Sequence, residues 1–191
     1  MRKNTYLHNN HEVNFILKGF TSILIGFYLF CGAYLIKSIL NGFLIDDHLA
    51  GMFSAEIIEL VALGILFLVF LFASLAVFFA GKRVAKRHQF KLWNGKTKKM
   101  AFRYLFLIAF FSSLLVVLMN VGLIDFIAPA FLVSYGLILF VLKGDSSRKK
   151  ILALSGLAFA LGCLCFFIPD YWSSAVSILG IAHVAYGIVV N

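Results

Sequence analysis

The chain has 191 residues, of which 62% are hydrophobic, 16% aromatic and only 13% charged, with a net charge of +9. Soluble domains are roughly 45–50% apolar and about 25% charged, and a water-exposed fold of this length has too few interior positions for so much apolar surface. The composition excludes a soluble domain, a disordered chain and a nucleic-acid binder, and it makes the lipid bilayer the expected partner.

A helix needs roughly 20 mostly apolar residues to cross ~30 Å of hydrocarbon. Runs at 16–40, 60–81, 104–124, 126–142, 151–168 and 173–190 meet or approach that length and lack the alternation of a membrane barrel. They predict an all-α integral membrane protein: one transmembrane domain over 1–191, six helices, a compact bundle of three helix hairpins.

The first run exceeds the 7–15 apolar residues of a signal sequence, and bulky Phe30 before Cys31 spoils a lipoprotein box, so it reads as a first transmembrane helix. An acidic connection follows, with Asp46, Asp47, Glu56 and Glu59. Glu56 and Glu59, three apart, share a helix face. Such a cluster can bind a cation, but a solvated helix start, where acids oppose the positive dipole end, is the expected reading. Residues 82–103 hold nine Lys and Arg and no acid, interleaved with Phe90 and Trp93. That pattern suits a segment lying on anionic inner-leaflet lipids. Short turns at Asp125 and at Pro169-Asp170 predict two antiparallel hairpins, with the fifth and sixth helices packed closely. Pro129 inside the fourth run is a candidate helix break.

Orientation follows from the loop charges. If the helices alternate, sixteen of the seventeen Lys and Arg share one side with Glu12 and Asp145, a net of +14. Lys37 faces six acids on the other side, a net of −5. Both termini are therefore expected in the cytoplasm, with the protein in the inner (plasma) membrane.

Membrane helices associate where small residues let backbones approach. The first helix offers Gly19, Ser22, Gly26 and Ala33; the fifth Ser155, Ala158, Gly162 and Cys165; the sixth Ser173, Ser177, Gly180, Val184 and Gly187. Cys163 and Cys165, two apart, point to opposite sides of a helix and predict neither a metal clamp nor a redox pair. A repeat is also visible: Ser134-Tyr135-Gly136-Leu137-Ile138 aligns with Ala185-Tyr186-Gly187-Ile188-Val189, and Ala62-Leu63-Gly64-Ile65-Leu66 is similar.

The spacing of Gly156, Gly162, Pro169, Gly180 and Gly187, with the Gly180-Ile181-Ala182-His183 step, resembles the helix–proline turn–helix pattern of small six-span bacterial acid-resistance (HdeD-like) proteins, and of related bacterial membrane proteins. The resemblance covers about residues 150–190. It implies a six-helix inner-membrane protein tied to stress tolerance and carries over no catalytic residue.

Ionisable residues within the hydrocarbon mark function by default, and His183 alone sits deep inside a predicted span. It could relay protons or ligate haem or metal, but no second ligand lies at its depth. A histidine hydrogen-bonded across the bundle to Tyr135, Ser112 or Asn120 is the plainer reading. No GxSxG, HExxH, Walker A or Rossmann pattern occurs. The sequence thus points to a non-enzymatic accessory protein without cofactor, acting through helix packing, with Gly156, Gly162, Gly180 and Gly187 as packing residues, and through association with a protein partner or a second copy. The alternative is a small transporter or channel with His183 near its path.

Overall fold

The computed structural model describes residues 17, 19–45, 54–87, 93, 95–141 and 148–189. These residues form six α-helices: α1 (Phe20–Ile45), α2 (Ala55–Arg87), α3 (Gly95–Asn120), α4 (Ile127–Val141), α5 (Arg148–Phe167) and α6 (Trp172–Val189). Among the described residues five apolar stretches are long enough to cross a membrane, and the apolar part of α5, Ile151–Phe167, is slightly shorter. Large apolar side chains face outward along these helices, among them Phe67, Phe72 and Phe79 on α2 and Phe102, Phe106 and Phe110 on α3. Only a hydrocarbon solvent accepts such a surface. The architecture is the expected all-helical one, with several membrane-span-like helices.

The helix limits differ from the apolar runs for a physical reason. Charge ends an apolar window but not a helix, because Lys, Arg and Glu are good helix formers. So α2 continues to Arg87, carrying Lys82, Arg83 and Lys86 exposed on its last turns, and α3 begins at Gly95 with Lys98, Lys99 and Arg103 exposed. Much of the basic stretch 82–103 is therefore helix; residues 88–92 and 94 fall outside the described ones. Trp93 leans on Phe78, with ring centroids 6.4 Å apart.

Helix α3 ends at Asn120, short of the expected 124, because the backbone reverses at Gly122 with φ +80°. The Gly122 N–H donates to the Met119 carbonyl at 3.0 Å and the Leu123 N–H to Leu118 at 2.9 Å. These two bonds form a Schellman cap, which favours glycine at the left-handed position. Pro129 does not break α4. It stands in the first turn after Ile127, where its missing N–H would have had no intrahelical partner.

The expected hairpins are present as neighbours, but the closest packing lies elsewhere. Helix α1 runs antiparallel against α6 over the most extensive interface, and α4 against α5 over the next. By comparison α5 and α6 touch less, and α2 and α3 barely meet. The close fifth–sixth packing expected from their short turn is thus corrected: a turn sets neighbours, while small residues set how near backbones come. Between α2 and α3 a polar link is visible, Tyr104 Oη to Ser74 Oγ at 2.6 Å. The Ser74 hydroxyl donates to the Phe70 carbonyl at 2.6 Å, so Tyr104 is the donor. One cluster of buried residues, including Leu29, Val69, Leu115, Leu132, Leu161 and Leu179, draws on all six helices.

Candidate functional site: a three-helix polar knot at a glycine crossing

Where α1 crosses α6, small or functional residues meet at matching spacing: Gly19, in the turn just before α1, with Ser22 and Gly26 of α1, against Gly187, His183 and Gly180 of α6. A Cβ on Gly26 would meet the Gly180 carbonyl oxygen, and Val184 Cγ2 at 2.9 Å. One on Gly180 would lie 2.8 Å from the Gly26 carbonyl oxygen, and one on Gly187 2.7 Å from that of Gly19. The backbones are in direct contact, which only glycine permits.

Close approach brings Ser22 against His183 at the centre of the crossing. The Ser22 hydroxyl donates to the His183 carbonyl oxygen at 2.8 Å, and its oxygen lies 3.1 Å from Nδ1 of the ring. On the other side, Tyr135 Oη of α4 lies 2.8 Å from His183 Nε2. The serine has one proton and spends it on the carbonyl, so at Nδ1 it accepts and the ring carries its proton there. Nε2 is then an acceptor, and Tyr135 donates to it. A neutral imidazole with this tautomer satisfies every contact. His183, at 0% exposure, joins three helices through both ring nitrogens.

Tyr135 was among the partners expected from sequence. Ser112 on α3 is only half-buried and Asn120 is exposed, and neither bonds to the ring. Ser22 was legible as a packing residue but not as a partner, because nothing in the sequence says that α1 and α6 cross. Phe131 continues the aromatic column, stacked on Tyr135 with centroids 6.3 Å apart, and Phe70 of α2 meets Phe131 edge-on at 5.3 Å.

The α4–α5 interface repeats part of this design. Ser155 donates to the Gly136 carbonyl at 2.8 Å, as Ser22 does to that of His183. Gly162 sits against Val133 and the Pro129 carbonyl. The repeated Tyr-Gly pairs of α4 and α6 thus occupy related settings, each helix laid against a serine-bearing antiparallel neighbour. Gly64 of α2 has no atom within 4 Å of where its Cβ would be, so the third copy lacks this packing.

The four glycines expected to pack do not behave alike. Gly162, Gly180 and Gly187 are contacts within the chain, whereas Gly156 is exposed with nothing within 4 Å of a Cβ. It lies on the face of α5 opposite Ser155, Ala158 and Gly162, with Ala153, Ala160 and Cys163, all exposed, and meets no neighbouring helix among the described residues. Cys165 is buried and Cys163 exposed, as a two-residue helical step requires.

Of the acidic cluster, Asp46 and Asp47 lie outside the described residues. Glu56 is exposed, while Glu59 is half-buried and borders a cleft with Asp125 and Asp170 from the two short turns. Among the described residues no group of three or more His, Cys, Asp and Glu is placed to hold a metal ion.

Comparison with protein families, with curated proteins and with solved structures finds no match to this chain. The likeness to acid-resistance proteins therefore rests on the spacing of glycine and proline alone.

Proposed function

We propose that this is a small, non-enzymatic accessory protein of the bacterial inner membrane, with both termini in the cytoplasm, that works by lateral association with a second copy or another membrane protein. The observation that carries the reading is the outward face of α5. Ala153, Gly156, Ala160 and Cys163 form an exposed stripe of small residues, while the same helix seals its other face against α4. A helix with two small-residue faces, one already used, is suited to receive a second helix. The orientation rests on the exposed Lys and Arg at the α2–α3 end and the carboxylates at the other. A stress-tolerance role rests on the glycine and proline spacing of residues 150–190.

A transport path past His183 is less well supported. Both ring nitrogens are engaged, and the cleft at the acidic end is not lined by His183, Tyr135 or Ser22.

The test uses Cys163, after replacing Cys31 and Cys165 by alanine. Mild oxidation in native membranes is expected to give a Cys163-linked dimer or a heavier adduct with a partner. Gly156→Leu should weaken that association about ten-fold or more, or roughly 1.4 kcal/mol, without altering the fold. A protein that stays monomeric in membranes, with no Cys163 adduct, would sink the reading.

A further inference from the structure

At the end of the bundle away from the basic helix turns, α1, α2, α4 and α6 part to leave a cleft of about 240 Å³. Its walls are apolar, built from Leu29, Ala33, Leu66, Val69, Phe131 and Trp172. A cavity of about 150 Å³ suffices for benzene, so a body of one aromatic ring with a small head fits. The charged residues that border it, Glu59, Asp125 and Asp170, are all carboxylates, and each comes from a different segment. Lys37, the basic residue on this side of the bundle, is exposed and takes no part in the lining. Among the described residues no Lys or Arg forms an ion pair with the three acids.

We propose that this cleft binds a small lipophilic ammonium compound, its apolar body between Phe131 and the aliphatic wall and its cationic head among Glu59, Asp125 and Asp170. Charge complementarity selects the occupant. A rim whose charged residues are all carboxylates attracts a cation and repels an anion, and Trp172, which also lines the cleft, is a residue type that attracts ammonium groups. An aminophospholipid fits less well, since its phosphate would lie against the same carboxylates. No residue of α5 lines the cleft, so the proposal stands apart from the association face.

The two tryptophans of the chain make a direct measurement possible. In a Trp93→Phe background Trp172 alone reports, and the protein in phosphatidylcholine nanodiscs is titrated with benzyltrimethylammonium. A saturable change in Trp172 fluorescence is expected. The uncharged carbon isostere, neopentylbenzene, should bind about ten-fold or more weakly, and added salt should weaken only the cation. Neutralising the rim with Glu59→Gln, Asp125→Asn and Asp170→Asn together should reduce affinity to that of the isostere. Ala62→Phe, which fills the cleft and removes none of the three acids, should abolish binding of both probes. Equal affinity for the uncharged isostere, an unchanged response in the rim variant, or no saturation would each overturn the proposal. Displacement of the probe by phosphatidylethanolamine would overturn the assignment to a free amine in favour of a lipid.

Discussion

Gly26→Ala is expected to cost about 1–3 kcal/mol of stability, the usual range for overpacking a close contact, although it adds a single methyl group. That methyl would run into the Gly180 carbonyl oxygen and Val184 Cγ2, and a carbonyl on a packed helix cannot move without its helix. The two backbones must separate by some tenths of an ångström or more along their whole crossing. Separation also draws Ser22 away from His183, so the polar contact weakens with the packing. Gly156→Ala and Gly64→Ala supply the control. Both are helical, with open space where the Cβ would go, so each should leave stability unchanged or raise it by up to about 1 kcal/mol through helix propensity. Unfolding of the purified protein in mild detergent or bicelles measures all three. Equal effects of Gly26→Ala and Gly156→Ala would mean that α1 and α6 do not cross as described.

The second large effect concerns the polar knot, and its signature is non-additivity. Tyr135→Phe removes the donor to His183 Nε2 and leaves that nitrogen buried without a partner. His183→Leu leaves the Tyr135 hydroxyl in the same position. Each single change is expected to cost about 1–3 kcal/mol, the range for an orphaned buried polar group, with interhelical bonds in bilayers towards the lower end. The double variant should cost less than the sum of the two, because removing both partners leaves nothing unsatisfied. A double-mutant cycle by the same unfolding measurement checks this. Strict additivity would mean that the Tyr135–His183 bond contributes nothing to the bundle. Ser22→Ala should behave differently from Tyr135→Phe, since it frees the Nδ1 proton and a backbone carbonyl together.

These effects show why the candidate site was only half legible. His183 stood out because an ionisable residue in an apolar run is rare, and Tyr135 was reachable as a polar residue at similar depth. Ser22 could not be paired with either, being 161 residues from His183 in sequence. Gly156 was legible as a packing residue but not for the side on which it packs. Its spacing to Gly162 looks like a packing motif, yet the two residues point to different sides of α5, one to α4 and one outward. Glycine spacing shows that a helix can be approached closely but not which neighbour approaches it.

Composition by itself determined the solvent, the helical class and the sorting of charge between the two ends, since these depend on how many apolar and charged residues there are and in what order. With 62% of the chain hydrophobic and 13% charged, no water-soluble arrangement was open to it. Tertiary structure decided which helices touch. Every span is apolar on all sides, and lipid accepts any of those sides as readily as a neighbouring helix does, so hydrophobic pattern cannot choose an interface. The choice fell to shape and hydrogen bonding: two glycine-lined crossings, and one histidine whose two nitrogens reach partners on two other helices.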